Sequence, residues 1–433
     1  MKTLLLVTLL FSTVGATSQD FLKRIKNKVA NAAENKAADR ITEVVTAPLD
    51  KKSATANSNS SAANTNSSAE DIKSEPATPV EASKPLTVFS KYDFIPGDRI
   101  LYAHDFAGEA IGELPKGWNT DGMGEVVSID AYGGNWLQLH QNNTYLSSNS
   151  NTFGENYTVE YDLILNLKNL GYTYPYLTFG LIAANPMNTT DNSVMQRMHD
   201  MFSAEVLVRP SGGGQSYIST TTFEKGRSYY DGKDQKFGTL ESYYGKPIHV
   251  AMQVQKERLR IWLGGEKVFD APKVMVPAYP VNQLFFKVSG SSYQESQIGL
   301  YISNIKVATG VADNRSELAT KGKFTTRGIL FDFQKADIKP ESYPVIKEIA
   351  VVLKDNPGMK IKIVGHTSND GDANANMELS KQRAAAIKTY LQSNFSIAAE
   401  NLTTDGKGGT EPSDKGITPE AKANNRRVEF IKI

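Results

Sequence analysis

Two arginines near the C terminus lie where an anion-binding side chain would be expected. Arg383 stands between Leu379 and Ile387 on the apolar stripe of a predicted helix. Arg426 shares the face of a predicted strand with Phe430. A guanidinium group in apolar surroundings is costly unless an anion pairs with it, and its planar fork suits a carboxylate. The anion is either an internal carboxylate of the protein or the carboxylate of a ligand.

A second chemically capable pair is Glu160 and Asp162, which alternate along a predicted strand and therefore share one of its faces. Some glycan hydrolases place a nucleophile and an acid/base on such a strand, usually with a third carboxylate. Here Ile164 or Leu165 stands where the third carboxylate would be. The pattern favours a polar strand face, and we expect no enzymatic activity.

The composition excludes several other kinds of chemistry. Lys and Arg total 48 against 47 Asp and Glu, a net charge of +1, so we do not expect nucleic acid as a partner. The chain has no cysteine, which excludes disulfides and thiolate chemistry. None of the five histidines lies at the close spacing of a helical metal pair. We therefore predict no metal and no cofactor.

The N-terminal part of the chain divides into three predicted segments. Residues 1–16 have a lysine, an apolar run and small residues, as in a secretory signal peptide. Residues 17–49 predict a basic amphipathic helix, which suits a solvated or partner-bound surface better than a membrane surface. Residues 50–87 are rich in Ser, Ala, Asn and Thr and predict a disordered linker.

Residues 88–310 predict an all-β domain, because short alternating strands recur between Gly, Asn, Pro and Ser clusters. In the hairpin at 250–263, apolar residues alternate with a predicted solvated face that includes Arg260 and Trp262. One buried and one solvated face per sheet is typical of a two-sheet sandwich. Trp262 with Arg260 could also form a sugar-stacking surface, although the solvated sheet face is the favoured interpretation.

Residues 311–324 predict a second linker, and residues 325–433 predict a compact α/β domain in which strands alternate with helices. We expect strands at 328–333, 360–367 and 425–433 and helices at 341–356 and 377–395.

Four motifs of this last region resemble the OmpA-like (OmpA/MotB C-terminal) peptidoglycan-associating domain in both order and spacing. They are FDFQKADIKP at 331–340, GHT-x3-G at 365–371, N-x2-LS-x2-RA at 376–384 and NRRVEF at 425–430. The resemblance implies a βαβαβ-type, non-enzymatic domain that binds the diaminopimelate of peptidoglycan stem peptides.

The resemblance also implies roles for individual residues. Arg383 and Arg426 would engage the diaminopimelate carboxylate, and Asn376 and Gln334 would line the site. One departure concerns Ser368, because the family usually has Asp at this position, where it meets the ligand ammonium group. We therefore expect weaker binding unless a nearby acid replaces the missing charge. The two candidates are Asp370 and Asp372.

The β region is similar to the concanavalin/laminin-G-like jelly-roll family. The similarity rests on RLRIWLGGEKVFD at 258–270 and GLYISNIKVA at 299–308. It implies a sandwich of a kind that often binds carbohydrate or protein and in some cases hydrolyses glycans.

Together these features predict an exported, non-enzymatic envelope protein of a Gram-negative bacterium. It would be periplasmic and outer-membrane-associated, bind peptidoglycan, and tether the outer membrane or an envelope partner to the cell wall. The sandwich would bind a glycan or an envelope protein. Two alternatives remain, namely a glycan-binding or glycan-hydrolysing jelly roll delivered to the wall, and an outer-membrane β-barrel with a periplasmic OmpA-like domain.

Overall fold

The computed structural model describes residues 92–149, 151–184, 190–310 and 317–433. The predicted signal peptide, basic helix and first linker lie outside the described residues. The described segments belong to one compact unit, Ser83–Ile433. We refer to residues 92–310 as the β-domain and to residues 317–433 as the C-terminal domain.

The strands of the β-domain form two eight-stranded sheets, with a short helix, α1 (Ser193–Gln196), between β7 and β8. The strands are β1 (Arg99–His104), β2 (Asn119–Thr120), β3 (Gly124–Ser128), β4 (Asn135–Leu139), β5 (Thr144–Leu146), β6 (Asn156–Asn166), β7 (Leu177–Ala183), β8 (Phe202–Arg209), β9 (Tyr217–Glu224), β10 (Arg227–Asp231), β11 (Gln235–Lys236), β12 (Pro247–Gln255), β13 (Arg258–Leu263), β14 (Glu266–Ala271), β15 (Gln283–Val288) and β16 (Gly299–Thr309).

The first sheet has the order β14-β13-β12-β6-β16-β4-β3, with β1 also paired to β16. The second has the order β10-β9-β8-β7-β15-β5-β2, with β11 paired to β9. The apolar side chains of both sheets meet in one core. For example, the ring centroid of Tyr161 on β6 lies 5.5 Å from that of Phe179 on β7 and 5.2 Å from that of Phe286 on β15. The prediction of β-sheets in this region is confirmed.

The outer face of the first sheet is buried around Trp262, although the sequence pattern predicts a solvated face there. The side chain of Trp262 is only 1% exposed, packs against Phe94 with ring centroids 5.2 Å apart, and donates its indole N–H to Asp93. The solvated position favoured for Trp262 is therefore wrong, and so is the alternative of a sugar-stacking surface at Trp262 and Arg260. The reason is that residues 92–98 run across this face and cover it.

A group of charged side chains, which we call the buried charge cluster, occupies the same outer face. His249 lies 3.0 Å from Asp162 through Nδ1 and 3.3 Å from Glu160 through Nε2. Lys306 lies 3.5 Å from Glu160, and Lys339 of the C-terminal domain lies 3.4 Å from Asp162. Each carboxylate thus has a cationic partner on its own sheet or across the domain boundary, as buried charges require.

The same cluster removes the basis for the glycan-hydrolysing alternative. Glu160 and Asp162 are 2% and 5% exposed, so a glycan strand cannot reach them. Burial alone would raise their pKa values, but the hydrogen bonds and charges of His249, Lys306 and Lys339 outweigh it, and both pKa values are lowered. The general acid of a glycosidase needs a raised pKa, so neither carboxyl group can supply that proton near neutral pH.

The C-terminal domain packs its helices and a π-helical turn around one four-stranded sheet of order β17-β20-β18-β19. Its elements are the turn Glu317–Lys321, β17 (Lys323–Thr326), α2 (Tyr343–Asp355), β18 (Ile361–Gly365), α3 (Ala373–Phe395), β19 (Leu402–Gly406), α4 (Pro419–Asn425) and β20 (Val428–Lys432). No helix in the described ranges has the length and apolar character needed to cross a membrane.

Two sequence expectations for this domain differ from the structure. Part of the predicted linker 311–324 is ordered, because Leu318 and Phe324 are buried in the domain core and the ring of Phe324 stacks on Phe430. The predicted strand at 328–333 is wrong, because this segment makes only an isolated bridge from Phe331 to Ile338. The strand at this edge of the sheet is β17, which pairs with β20.

We expect the protein to lose stability at alkaline pH through His249. Burial lowers the pKa of this imidazole, but its hydrogen bonds to Asp162 and Glu160 raise it more, from 6.5 to about 9. Because folding raises this pKa, the contribution is complete below pH 6.5 and is lost as pH rises through about 9. Urea unfolding between these values should show a decrease of up to about 3 kcal/mol.

The variant His249→Asn should have a flatter stability curve across the same pH range. His199→Asn is the matched control, because His199 is exposed and pairs with Glu205 inside the β-domain. If the free energy of unfolding changes equally with pH in the parent protein and in His249→Asn, the ionisation of His249 is not the cause of the change.

Candidate functional site

The candidate site lies where α3 packs against the ends of β18 and β19. A Cβ atom at Gly365 would come within 2.3 Å of the carbonyl oxygen of Ser380, so only glycine permits this close approach. The hydroxyl of Ser380 in turn accepts a hydrogen bond of 2.9 Å from the amide of Gly408. These contacts fix the first turns of α3 on the sheet and thereby fix Arg383, which follows Ser380 by about one helical turn.

The guanidinium group of Arg383 is held by an aromatic ring and a backbone carbonyl. Its central carbon lies 4.8 Å from the ring centroid of Phe331, and its Nε donates to the carbonyl oxygen of Lys335 at 2.9 Å. No carboxylate of the described residues forms an ion pair with it, so the internal partner that the sequence left open is not found there. Burial, with the charge of Arg426, lowers the pKa of Arg383 to about 10, and the group stays charged at neutral pH.

Arg426 lies at the C-terminal end of α4, directly before β20, and its side chain is 38% exposed. Its Nη2 atom is 3.3 Å from Oδ2 of Asp105, a residue of the β-domain. The expectation that Arg426 shares a buried strand face with Phe430 is wrong, because β20 begins only at Val428. Instead Arg427 is the buried arginine of this motif, paired with Glu429 at 2.9 Å.

The loop between β18 and α3 brings three more predicted site residues together. Ser368 is 9% exposed and lies in the same loop as Asp370. Oδ1 of Asp370 lies 2.8 Å from Nζ of Lys422, and the Asp370 carbonyl accepts a hydrogen bond of 2.6 Å from Nδ2 of the Asn376 side chain. Burial would raise the pKa of Asp370, but Lys422, Ser368 and Arg426 outweigh it and lower the pKa.

Asn376 is not the N-cap of α3. The cap of α3 is Asp372, whose carboxylate accepts a hydrogen bond of 2.7 Å from the amide of Ala375. Asn376 lies in the first turn and holds the preceding loop. The last predicted residue, Gln334, is exposed in a left-handed turn with φ of 54°, next to the Lys335 carbonyl that binds Arg383.

Three residues of this environment have no role in the sequence prediction. Phe331 belongs to a recognised motif but was not assigned to the site. Lys422 lies in α4, a helix that the sequence analysis did not predict, and its carbonyl accepts the backbone amide of Arg426. Asp105 gave no local signal, because only the packing of the two domains brings it to Arg426.

Comparison with known proteins identifies the type of domain that carries this site. A family model described as OmpA family matches residues 330–426. The chain therefore carries an OmpA-family domain at its C terminus, and the resemblance noted from the motifs is confirmed.

Several known proteins are similar to this chain over the same region. The peptidoglycan-binding protein ArfA of Mycobacterium tuberculosis (strain ATCC 25618 / H37Rv) is 35% identical over 103 residues, which are 24% of this chain and 31% of that protein. The probable lipoprotein YiaD of Escherichia coli (strain K12) is 35% identical over 102 residues, 24% of this chain and 46% of that protein. The chain thus spans less than half of either relative.

Among solved structures, the cell wall anchor of the T6SS from Pseudomonas aeruginosa is 29% identical, with a TM-score of 0.24. The match covers 26% of this chain and 80% of that one.

We expect Asp372→Ala and Asn376→Ala to have different consequences. Loss of the Asp372 cap should reduce the free energy of unfolding by about 1 kcal/mol, because an amide of α3 loses its acceptor. Asn376→Ala should change stability less, but it should loosen the loop that carries Ser368 and Asp370. Urea unfolding of both variants measures the first effect, and hydrogen exchange of residues 366–372 measures the second. A larger stability loss in Asn376→Ala than in Asp372→Ala would contradict this division of roles.

Proposed function

We propose that the C-terminal domain binds peptidoglycan by holding the free carboxylate of a diaminopimelate stem peptide. The observation that carries the proposal is Arg383, a charged guanidinium that is fixed by Phe331 and the Lys335 carbonyl yet has no ion-pair partner among the described residues. A partly buried cation needs an anion, and a planar fork binds a carboxylate with two parallel hydrogen bonds.

The other predicted residues fit a supporting role around this carboxylate. Arg426 is close enough for its charge to lower the pKa of Arg383, so one anion can neutralise the repulsion between the two. Asn376, Ser368 and Gln334 supply uncharged polar groups along the loops beside Arg383. Asp370, the substitute acid suggested by the sequence, is already engaged by Lys422.

The relatives support a role in the cell envelope. One is named as a peptidoglycan-binding protein and one as a probable lipoprotein. With the predicted signal peptide 1–16, this favours an exported protein of the Gram-negative periplasm, associated with the outer membrane. In this role the protein would tether that membrane or an envelope partner to the cell wall. The β-domain, which we take to be a concanavalin/laminin-G-like jelly roll, would bind a glycan or an envelope protein.

We propose further that the protein is not an enzyme. One relative matched by the C-terminal domain is named as a peptidoglycan-binding protein, and the acidic pair Glu160 and Asp162 is buried with lowered pKa values. The cluster therefore serves the packing of the two domains.

The proposal is tested by sedimentation of the full chain with purified diaminopimelate-type peptidoglycan. Arg383→Ala should weaken binding roughly 10- to 150-fold, because the ligand carboxylate loses charged hydrogen bonds. Arg383→Lys should recover only part of this, because an ammonium group keeps the charge but lacks the fork.

Lys388→Ala is the matched control, because it removes one positive charge from the same helix, α3, away from the site. Circular dichroism should show that all three variants are folded. Binding of Arg383→Ala equal to that of the parent would refute the proposed site.

A further inference from the structure

The β-domain is docked against the edge of the candidate site. The amide of Ala103 on β1 donates to Oε1 of Glu420 at 3.2 Å, and the amide of Ile100 donates to Oδ1 of Asn424 at 3.3 Å. Between these hydrogen bonds, Ala423 of α4 packs against Ile100 and Ala103 in a small apolar cluster. The position of β1 relative to α4 is therefore set by both polar and apolar contacts.

This docking delivers a carboxylate to the site. Asp105 follows β1 directly, and its Oδ1 accepts a hydrogen bond of 3.2 Å from the amide of Ala107, which orients the side chain. The other oxygen, Oδ2, is the atom that lies 3.3 Å from Arg426. The Asp105 side chain is 29% exposed, so the pair is held by the domain boundary but open to solvent.

Two acids in the loop before α3 are committed to other partners. Asp372 caps α3, and Asp370 is paired with Lys422. The family position that usually carries an acid is Ser368, which has no charge. In the described parts of the chain, Asp105 is the acid that pairs with one of the two proposed ligand arginines.

An adjacent arginine and aspartate suit a zwitterion. In the free end of diaminopimelate, the carboxylate and the ammonium group are attached to the same carbon, so their protein partners must also be neighbours. If the ligand carboxylate binds Arg426 and Arg383 while the ammonium binds Asp105, the ligand enters the existing ion pair without leaving any charge unpaired. Asp370 lacks this option, because its partner Lys422 is not one of the ligand arginines.

We propose that Asp105 of the β-domain is the ammonium-binding residue of the peptidoglycan site and replaces the acid absent at Ser368. This inference rests on the proposed function of the C-terminal domain. It makes the β-domain a part of the site and gives the site its preference for a free amino group.

The test compares two forms of the same ligand with the full chain. Diaminopimelate-type peptidoglycan is used either untreated or after N-acetylation of its free amines with acetic anhydride. The parent should bind untreated peptidoglycan roughly 5- to 30-fold more tightly than the acetylated form, because a charged hydrogen bond is replaced by a neutral one. Asp105→Asn should bind untreated peptidoglycan as weakly as the parent binds the acetylated form, with little further loss on acetylation.

Two variants guard against a merely structural effect. Asp105→Glu keeps the charge and should keep most of the preference for the untreated form. Asp200→Asn, which removes an acid paired with Arg197 inside the β-domain, should behave as the parent does. Equal binding of Asp105→Asn and the parent to untreated peptidoglycan, or tighter binding by Asp105→Asn, would overturn the inference. Tighter binding would mean that Asp105 competes with the ligand for Arg426.

Failure of this inference and failure of the proposed function give different results. If Arg383→Ala still binds as the parent does, the carboxylate site itself is wrong. If Arg383→Ala loses binding while Asp105→Asn does not, the site stands and only the role of Asp105 is rejected.

Discussion

The two domains depend on one electrostatic constraint, which is that the charges on the outer face of β6 cannot be buried alone. Glu160 and Asp162 are placed there by the alternation of a strand whose other face fills the core. Their compensation comes from His249 and Lys306 on the same sheet and from Lys339 of the C-terminal domain. Removing either side of such a set leaves an uncompensated buried charge. The stability of the β-domain therefore depends on the position of the C-terminal domain, which supplies Lys339.

That position decides what surrounds the two arginines. Because α4 is hydrogen-bonded to β1, the loop after β1 reaches Arg426. Arg383, by contrast, packs on the ring of Phe331. The ion pair of Arg426 is thus a consequence of the docking, whereas the contacts of Arg383 are made within the C-terminal domain. The surroundings of Arg426 therefore include a residue of each domain.

Local patterns in the sequence predicted the parts of the structure that depend on local chemistry. The helix stripe interrupted by Arg383 was informative, because an interior guanidinium requires a partner wherever it occurs. The alternation in β12 and β13 correctly separated the two faces of the first sheet. It could not predict that Trp262 is buried, because alternation gives the direction of a side chain and not what covers it. The contact between Asp105 and Arg426 was equally inaccessible, since it arises from the packing of segments distant in the sequence.

The segment 92–98 also packs against both domains. Phe94 packs on Trp262 of the first sheet, its neighbour Ile95 packs against the core of the C-terminal domain, and Pro96 lies so close to Gly328 that a Cβ there would be 2.7 Å from its ring. Without this segment, each domain would expose apolar side chains that it now covers. The isolated C-terminal domain would therefore expose apolar surface that this segment covers in the whole protein. The intact protein should therefore unfold as one cooperative unit.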